Sequence, residues 1–209
     1  MGTAREEILN KLKQAVYPEP EKPDFDAPVY FPIETSLDQA FKENLEKVNG
    51  SVHLCSSHEE LYKALELFLQ KFPKDKIVCN EEALKQQLQK YQVEFTSAEK
   101  LPFDLKVGIT SCEFLIAHTG SVMVSSALGS GRQLFAFPEV HVVIAENTKV
   151  VDYLEAAYDG VQKKYGKKLP SQVSLITGPS RTADIEKTLV MGAHGPRELH
   201  IFINQNKKE

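Results

Sequence analysis

The sequence predicts an α/β fold with a mixed, mostly parallel sheet sandwiched by helices, and three observations carry that expectation. Short β-branched runs, Val52–Cys55, Lys76–Cys79 and Val107–Thr110, alternate with amphipathic stretches at helical spacing. The segments between those runs are long enough to be right-handed crossovers joining parallel strands. The 209 residues are 42% hydrophobic and 26% charged, enough to bury a sizeable core and unlike disordered or coiled-coil chains.

The elements follow in order. Thr3 and Glu6 form a capping box ahead of a helix with Ile8, Leu9, Leu12 and Val16 on one face. Tyr17–Pro28 is proline-rich and predicts extended chain, so residues 1–35 read as a helix and arm that packs on the body or on a neighbouring subunit, and residues 36–209 as the α/β domain. Ser36 and Gln39 open a helix with Leu37, Phe41, Leu45 and Val48 inward, ended by Asn49-Gly50. Ser57 and Glu60 box another, carrying Leu61, Leu65, Phe68 and Phe72 up to Pro73. Asn80 caps a helix bearing Leu84 and Leu88, and Val93–Phe95 reads as a short strand.

From Ser111 the pattern changes. A brief helix over Ser111–Ala117 precedes strands at Ser121–Ser125, Leu134–Phe137 and Val140–Ala145, too closely spaced for helical crossovers, which predicts a meander or an inserted antiparallel element. A helix over Val150–Tyr165, a strand at Val173–Thr177, a short helix over Ala183–Val190 and a strand at Leu199–Ile203 complete the chain.

Several function classes are disfavoured at once. A net charge of −4 and a pI near 5.9 argue against broad nucleic-acid or anionic-membrane binding. No apolar run approaches the roughly 18 residues of a membrane span, and the N-terminus lacks a signal-like apolar core. Cys55, Cys79 and Cys112 are widely spaced and read as buried free thiols of a reducing cytoplasm. No paired Cys/His spacing or HExxH predicts a metal, and a Gly-x-Ser-x-Gly elbow is absent. Gly129-Ser130-Gly131-Arg132 lacks the third glycine of a dinucleotide fingerprint and reads as a surface loop.

Three segments can carry chemistry. In Thr177-Gly178-Pro179-Ser180-Arg181-Thr182-Ala183-Asp184, a strand runs through Gly-Pro into hydroxyls and an arginine ahead of the predicted helix. Free amides at such a helix start, with Ser180, Thr182 and Arg181, suit an anion at the carboxyl end of a strand. A helix capped by Ser180 or Thr182, with Asp184 favouring its dipole, explains the same residues equally well. Glu113 and His118 flank a second segment, where Glu113 can act as base or nucleophile and His118 titrate near neutrality, or the two can simply suit the ends of a helix. His194, between Gly192 and Gly195, faces either a cleft or a helix exit. His53, His141 and His200 interrupt apolar strands and read as core residues.

The run TGPSRTADIEKTLVMGAHGPRELHIFI, from Thr177, and Ala117–Val124 resemble the signature of the LUD (lactate-utilization) domain family, a likeness covering residue 36 to the C-terminus. That resemblance implies the α/β fold shared by CoA transferases, ribose-5-phosphate isomerase and formyltetrahydrofolate cyclo-ligase. It implies a non-redox subunit of a bacterial system oxidising L-lactate to pyruvate, with iron–sulfur clusters on partner subunits and no cofactor on this chain. The ligand, a small carboxylate or phosphate-bearing molecule, would then meet Thr177, Gly178, Pro179, Ser180, Arg181, Thr182, Asp184 and His194, with Thr119 and Gly120 as the opposite wall. Family members often carry an acidic residue directly before this Thr-Gly turn, and here that position is His118. A CoA-transferase-like enzyme using Glu113, and a non-catalytic scaffold subunit, are the alternatives; neither nucleic acid nor a membrane span is expected, and a homo-oligomer is compatible with all three.

Overall fold

The computed structural model describes residues 3–14, 21–24, 30, 32–183, 189–192 and 194–206. The chain divides into two compact units, Met1–Pro32 and Ile33–Glu209. In the first, helix α1 (Ala4–Gln14) opens with the capping box: Thr3 N–H donates to the Glu6 carboxylate at 2.8 Å, and Glu6 N–H to Thr3 Oγ1 at 3.4 Å. Ile8, Leu9 and Leu12 are exposed, and Val16 with most of the proline-rich run lies outside the described residues.

The second unit runs α2 (Leu37–Glu46), β1 (Ser51–Cys55), α3 (His58–Leu69), β2 (Ile77–Cys79), α4 (Glu82–Lys90), β3 (Val107–Thr110), β4 (Phe114–Ile116), β5 (Ser121–Ser125) and β6 (Val140–Glu146). It continues through β7 (Val150–Val151), α5 (Leu154–Tyr165), β8 (Val173–Ile176), β9 (Arg181–Ala183), β10 (Leu189–Met191) and β11 (Glu198–Asn204). Five strands form a central sheet in the order β1-β11-β6-β3-β2, every neighbour parallel, as the strand–helix alternation predicts. A second sheet, β7-β4-β5-β8, is mixed: β4 pairs antiparallel with β5 and parallel with β7, and β5 pairs antiparallel with β8.

Because parallel strands are apolar on both faces, the central sheet supports two cores. On one face, Ile77, Ile109, Val142 and Phe202 pack with Leu61 and Leu65 of α3 and Leu84 and Leu88 of α4. On the other, Val143, Ile201 and Ile203 meet Phe41 and Leu45 of α2 and Leu115, Val122 and Val124 of the second sheet. Helix α5 covers that sheet's far side through Ala157 and Val161 against Ile116 and Met123. Each such side chain contributes about 1.5–3 kcal/mol by leaving water.

Several elements differ from expectation. Residues 114–116 are strand, not helix: Phe-Leu-Ile pairs with β5 across the Thr119–Gly120 turn, and Glu113 N–H donates to Met123 O at 2.8 Å. Val150 and Val151 form β7 beside β4, so α5 starts only at Leu154; the β-branched pair completes a ladder that a helix would have left open. Leu134–Phe137 is a turn, with Ala136 and Phe137 N–H both donating to Gln133 O. Residues 93–95 are not a strand, and Thr96 makes only a bridge to Val78. Asn80 does not cap α4; its amide exchanges two bonds with the Ala98 backbone. Most consequential, Arg181–Ala183 is strand β9, paired antiparallel with β10 where a helix was expected. Residues 184–188, Asp184 among them, lie outside the described residues.

Cys55, Cys79 and Cys112 are free and buried. Burial also holds three strand histidines below their ordinary 6.5: His141 at about 3, His53 at about 4 with help from His200 and Lys42, and His200 in the same direction. The unfolded chain therefore takes up protons first, so this stability is complete above about pH 6.5 and declines as pH falls toward the folded values. For His141 alone the loss is about 2 kcal/mol by pH 5. The unfolding midpoint is accordingly expected to fall between pH 7 and pH 5, and to fall less in His141→Phe; identical pH slopes by calorimetry would refute this.

Candidate functional site

Glu113 and His118 stand at opposite ends of β4, so the two residues expected to share chemistry are not brought together. Glu113 is fully buried, and three donors hold its carboxylate: Ser125 Oγ at 2.6 Å, Tyr165 Oη at 2.6 Å and Lys164 Nζ at 2.7 Å. Burial pushes this carboxyl up, but the bonds from Lys164, Ser125 and Tyr165 outweigh it and leave the group below its ordinary value. The cluster is a clasp that ties the start of β4 to β5 and to the end of α5. Half-buried His118 donates its backbone N–H to Asp152 O at 3.0 Å and sets its ring 5.4 Å from that of Tyr153.

Thr119–Gly120 and Thr177–Gly178 do come together, though the contact is one of packing. The Thr119 hydroxyl donates to Ser121 Oγ at 2.7 Å, and the Ser121 and Thr177 hydroxyls lie 2.7 Å apart. Both glycines have positive φ, +63° and +84°, and both meet the end of α2. A Cβ on Gly120 would come within 2.7 Å of Leu45 Cα, and one on Gly178 within 2.5 Å of Val48 O. Asn44 Nδ2 completes the seam by donating to Ala117 O at 2.9 Å and His118 O at 3.2 Å. Thus Gly120 is a seat for α2 and not the wall of a pocket.

Beyond that seam, Thr177, Gly178, Ser180 and His194 line a cavity of about 390 Å³. Backbone bonds hold it in shape: Ser180 N–H donates to Pro196 O at 2.8 Å, and Gly192 N–H to Ser180 O at 2.9 Å. Pro179 is buried in the turn, while His194 is exposed. Arg181 is exposed on the β9–β10 hairpin and Thr182 sits beside it; neither belongs to the lining. With β9 in place of a helix start, and the Ser180 amide already bonded, the helix-terminus mode of anion binding does not exist here among the described residues.

The sequence reading missed three polar side chains of the lining. Gln172 and Ser174 come from β8 and its approach, and His141 is the second residue of β6. The signal for His141 was present as the one polar residue within Val140–Ala145, but burial alone explains such a histidine equally well. The cavity borders the carboxyl end of β8, as expected, and also the amino-terminal ends of β6 and β11, where His141 and Leu199 lie. Among the described residues its lining holds no Lys, Arg, Asp or Glu, so hydroxyls, an amide and imidazoles supply all its polarity.

A second cavity, of about 290 Å³, opens at the carboxyl ends of β2, β3 and β6. There buried Glu81 accepts from Ser111 N–H at 2.9 Å and from the Ser111 hydroxyl, beside Glu146, Lys149 and Lys164. Both oxygens of Glu81 are occupied in holding the segment after β3, and Lys164 is committed to Glu113.

Comparison with known proteins adds lineage. The model of the LUD domain matches residues 38–203. Proteins named lactate utilization protein C are similar, one from Geobacillus sp. (strain WCH70) being 39% identical over 99 residues, 46% of this chain and 41% of that one. Another, from Bacillus subtilis (strain 168), is 37% identical over 92 residues, 43% of this chain and 38% of that one. The matched stretch thus spans about two fifths of the length of these relatives. The crystal structure of a DUF162 family protein from Deinococcus radiodurans superposes with a TM-score of 0.61 over 81% of this chain and 96% of that one, at 16% identity, and so shares its fold.

The Glu113 clasp yields a prediction. Glu113→Ala strands three donors, and is expected to cost about 2–4 kcal/mol in urea unfolding; a loss under about 1 kcal/mol would show that Lys164, Ser125 and Tyr165 find other partners.

Proposed function

The chain belongs to the LUD domain family, and from that premise we propose that it is a non-redox component of an L-lactate-oxidising system that binds a small monocarboxylate in the cavity beneath the Thr177–Ser180 turn. The role is supported by its similarity to proteins named lactate utilization protein C. The site is carried by one observation: Thr177, Gly178 and Ser180 from one turn and His194 from another line one cavity. At about 390 Å³ that cavity falls in the range of small-molecule sites. Hydroxyls of Ser174, Thr177 and Ser180 and the Gln172 amide can donate to a carboxylate, and such bonds to an ionised acceptor are about twice as strong as neutral ones. A phosphate-bearing ligand suits the lining less, because its higher charge would meet no lysine or arginine there. Electron transfer then falls to partner subunits bearing iron–sulfur clusters.

A CoA-transferase-like reaction through Glu113 finds less support. An acyl-accepting carboxylate needs an oxygen open to substrate, and this one is buried under three donors. A purely scaffolding subunit would have no use for the convergent hydroxyls of the cavity.

In the host that encodes the chain, deleting the gene is expected to abolish growth on L-lactate and spare growth on pyruvate; normal growth on L-lactate would overturn the role. Restoring the gene as Ser180→Trp, which fills the cavity, is expected to fail, whereas Arg181→Ala is expected to succeed. Growth with a folded Ser180→Trp protein would overturn the site.

A further inference from the structure

We propose that His141 reads a hydroxyl in this cavity: its Nδ1 accepts the hydroxyl proton of a 2-hydroxy acid, and so the site selects that acid over the corresponding 2-oxo acid. The inference rests on the cavity being the carboxylic-acid site proposed above.

His141 is fully buried in β6, the middle strand of the central sheet, with parallel neighbours on both sides fixing its backbone. Its Nε2 lies 2.9 Å from Thr110 Oγ1, and the Thr110 hydroxyl donates its single proton to Ser111 O at 3.0 Å. With its proton given to Ser111 O, Thr110 accepts from the ring, and the proposal accordingly places the ring proton on Nε2 and leaves Nδ1 with a bare lone pair. That Nδ1 is buried and has no hydrogen-bond partner. His141 lines the cavity and Thr110 does not, and the proposal takes Nδ1, the nitrogen that Thr110 leaves without a partner, as the one on the cavity side. A buried acceptor left unsatisfied is destabilising, and a hydroxyl donor arriving from the cavity removes that penalty.

The discrimination follows from the sign of the partner. A 2-hydroxy acid offers an O–H at the carbon beside its carboxylate. A 2-oxo acid offers a carbonyl lone pair at the same place, which would face the Nδ1 lone pair and be repelled. An unsubstituted acid offers only C–H. The hydroxyls of Ser174, Thr177 and Ser180 on the same lining receive the carboxylate and leave the adjacent carbon to His141. The ring stays neutral in this environment, held so by its burial, which keeps Nδ1 an acceptor.

The test is calorimetric titration of the purified chain with L-lactate, pyruvate and propionate, for the unmodified protein and for His141→Phe. L-lactate is expected to bind about tenfold more tightly than either other acid, and His141→Phe to bind all three alike. Equal affinities for the three acids in the unmodified protein would overturn the hydroxyl selection and leave the cavity's role as an acid site standing. Binding of none of them would overturn the acid site itself, and the selection with it. Should His141→Phe fail to fold, Thr110→Val, which releases the ring from its tautomer lock, is expected to reduce the lactate preference. The imidazole ¹⁵N spectrum of the unmodified protein is expected to show a bare Nδ1 and a protonated Nε2; the opposite tautomer would overturn the proposal whatever the affinities.

Discussion

The end of α2 and the residues just after it lie directly on two glycines from different turns, one on each side of the second sheet's β5. Gly120 closes β4 to β5 and Gly178 follows β8; the missing Cβ of the first is the space of the α2 backbone at Asn44–Leu45, and that of the second is the space of Val48 just beyond α2. This close approach sets how far the second sheet stands from the central one, since α2 is itself packed on β1 through the core that holds Phe41 and Leu45. It also sets where the chain goes after Gly178, and hence where Ser180 meets Pro196 and where the cavity opens. The hydroxyl chain Thr119–Ser121–Thr177 and the Asn44 amide satisfy the polar groups that such a tight seam would otherwise bury without partners.

Two polar centres in the molecule are organised on opposite principles. Around Glu113 both carboxylate oxygens are held by internal donors, and the carboxylate is ionised because those donors outweigh the cost of burial. Such a centre rigidifies the junction of β4, β5 and α5 and leaves the buried carboxylate closed to a guest. Around His141 one end of the ring is fixed by Thr110 and the other is left without a partner beside a cavity. Native proteins seldom leave a buried nitrogen unsatisfied, and where they do the vacancy invites explanation by ligand chemistry. The contrast inverts the weighting that chemical intuition attaches to the bare sequence, in which a glutamate before a Thr-Gly turn looks more reactive than a histidine inside a valine-rich strand.

The turn at residues 177–180 keeps its place in the site while changing its manner of action. With β9 following it, the described residues offer no helix dipole and no row of open amides there, and Arg181 is exposed on β9. What remains is a neutral cavity whose selectivity must come from the placement of single donors and acceptors, a regime in which the loss of one hydrogen bond is felt more sharply than a change of charge nearby.

Periodicity and capping chemistry determined the central sheet and the helices that cover it, because crossover lengths, apolar strands on both faces and caps such as Ser57–Glu60 act over a few residues and leave their mark in local order. The signature residues from Thr177 to Pro196 likewise marked a corner of the molecule that does line a cavity. What only the tertiary structure decided were the segments whose state depends on a distant partner. Residues 114–116 and Val150–Val151 are strands because they find each other across thirty-five residues, and Arg181–Ala183 is a strand because Leu189–Met191 lies beside it. The same holds for His141: whether a buried imidazole is a satisfied core residue or one with a nitrogen to spare turns on Thr110 and on the space beyond the ring, and neither is written in its neighbours along the chain.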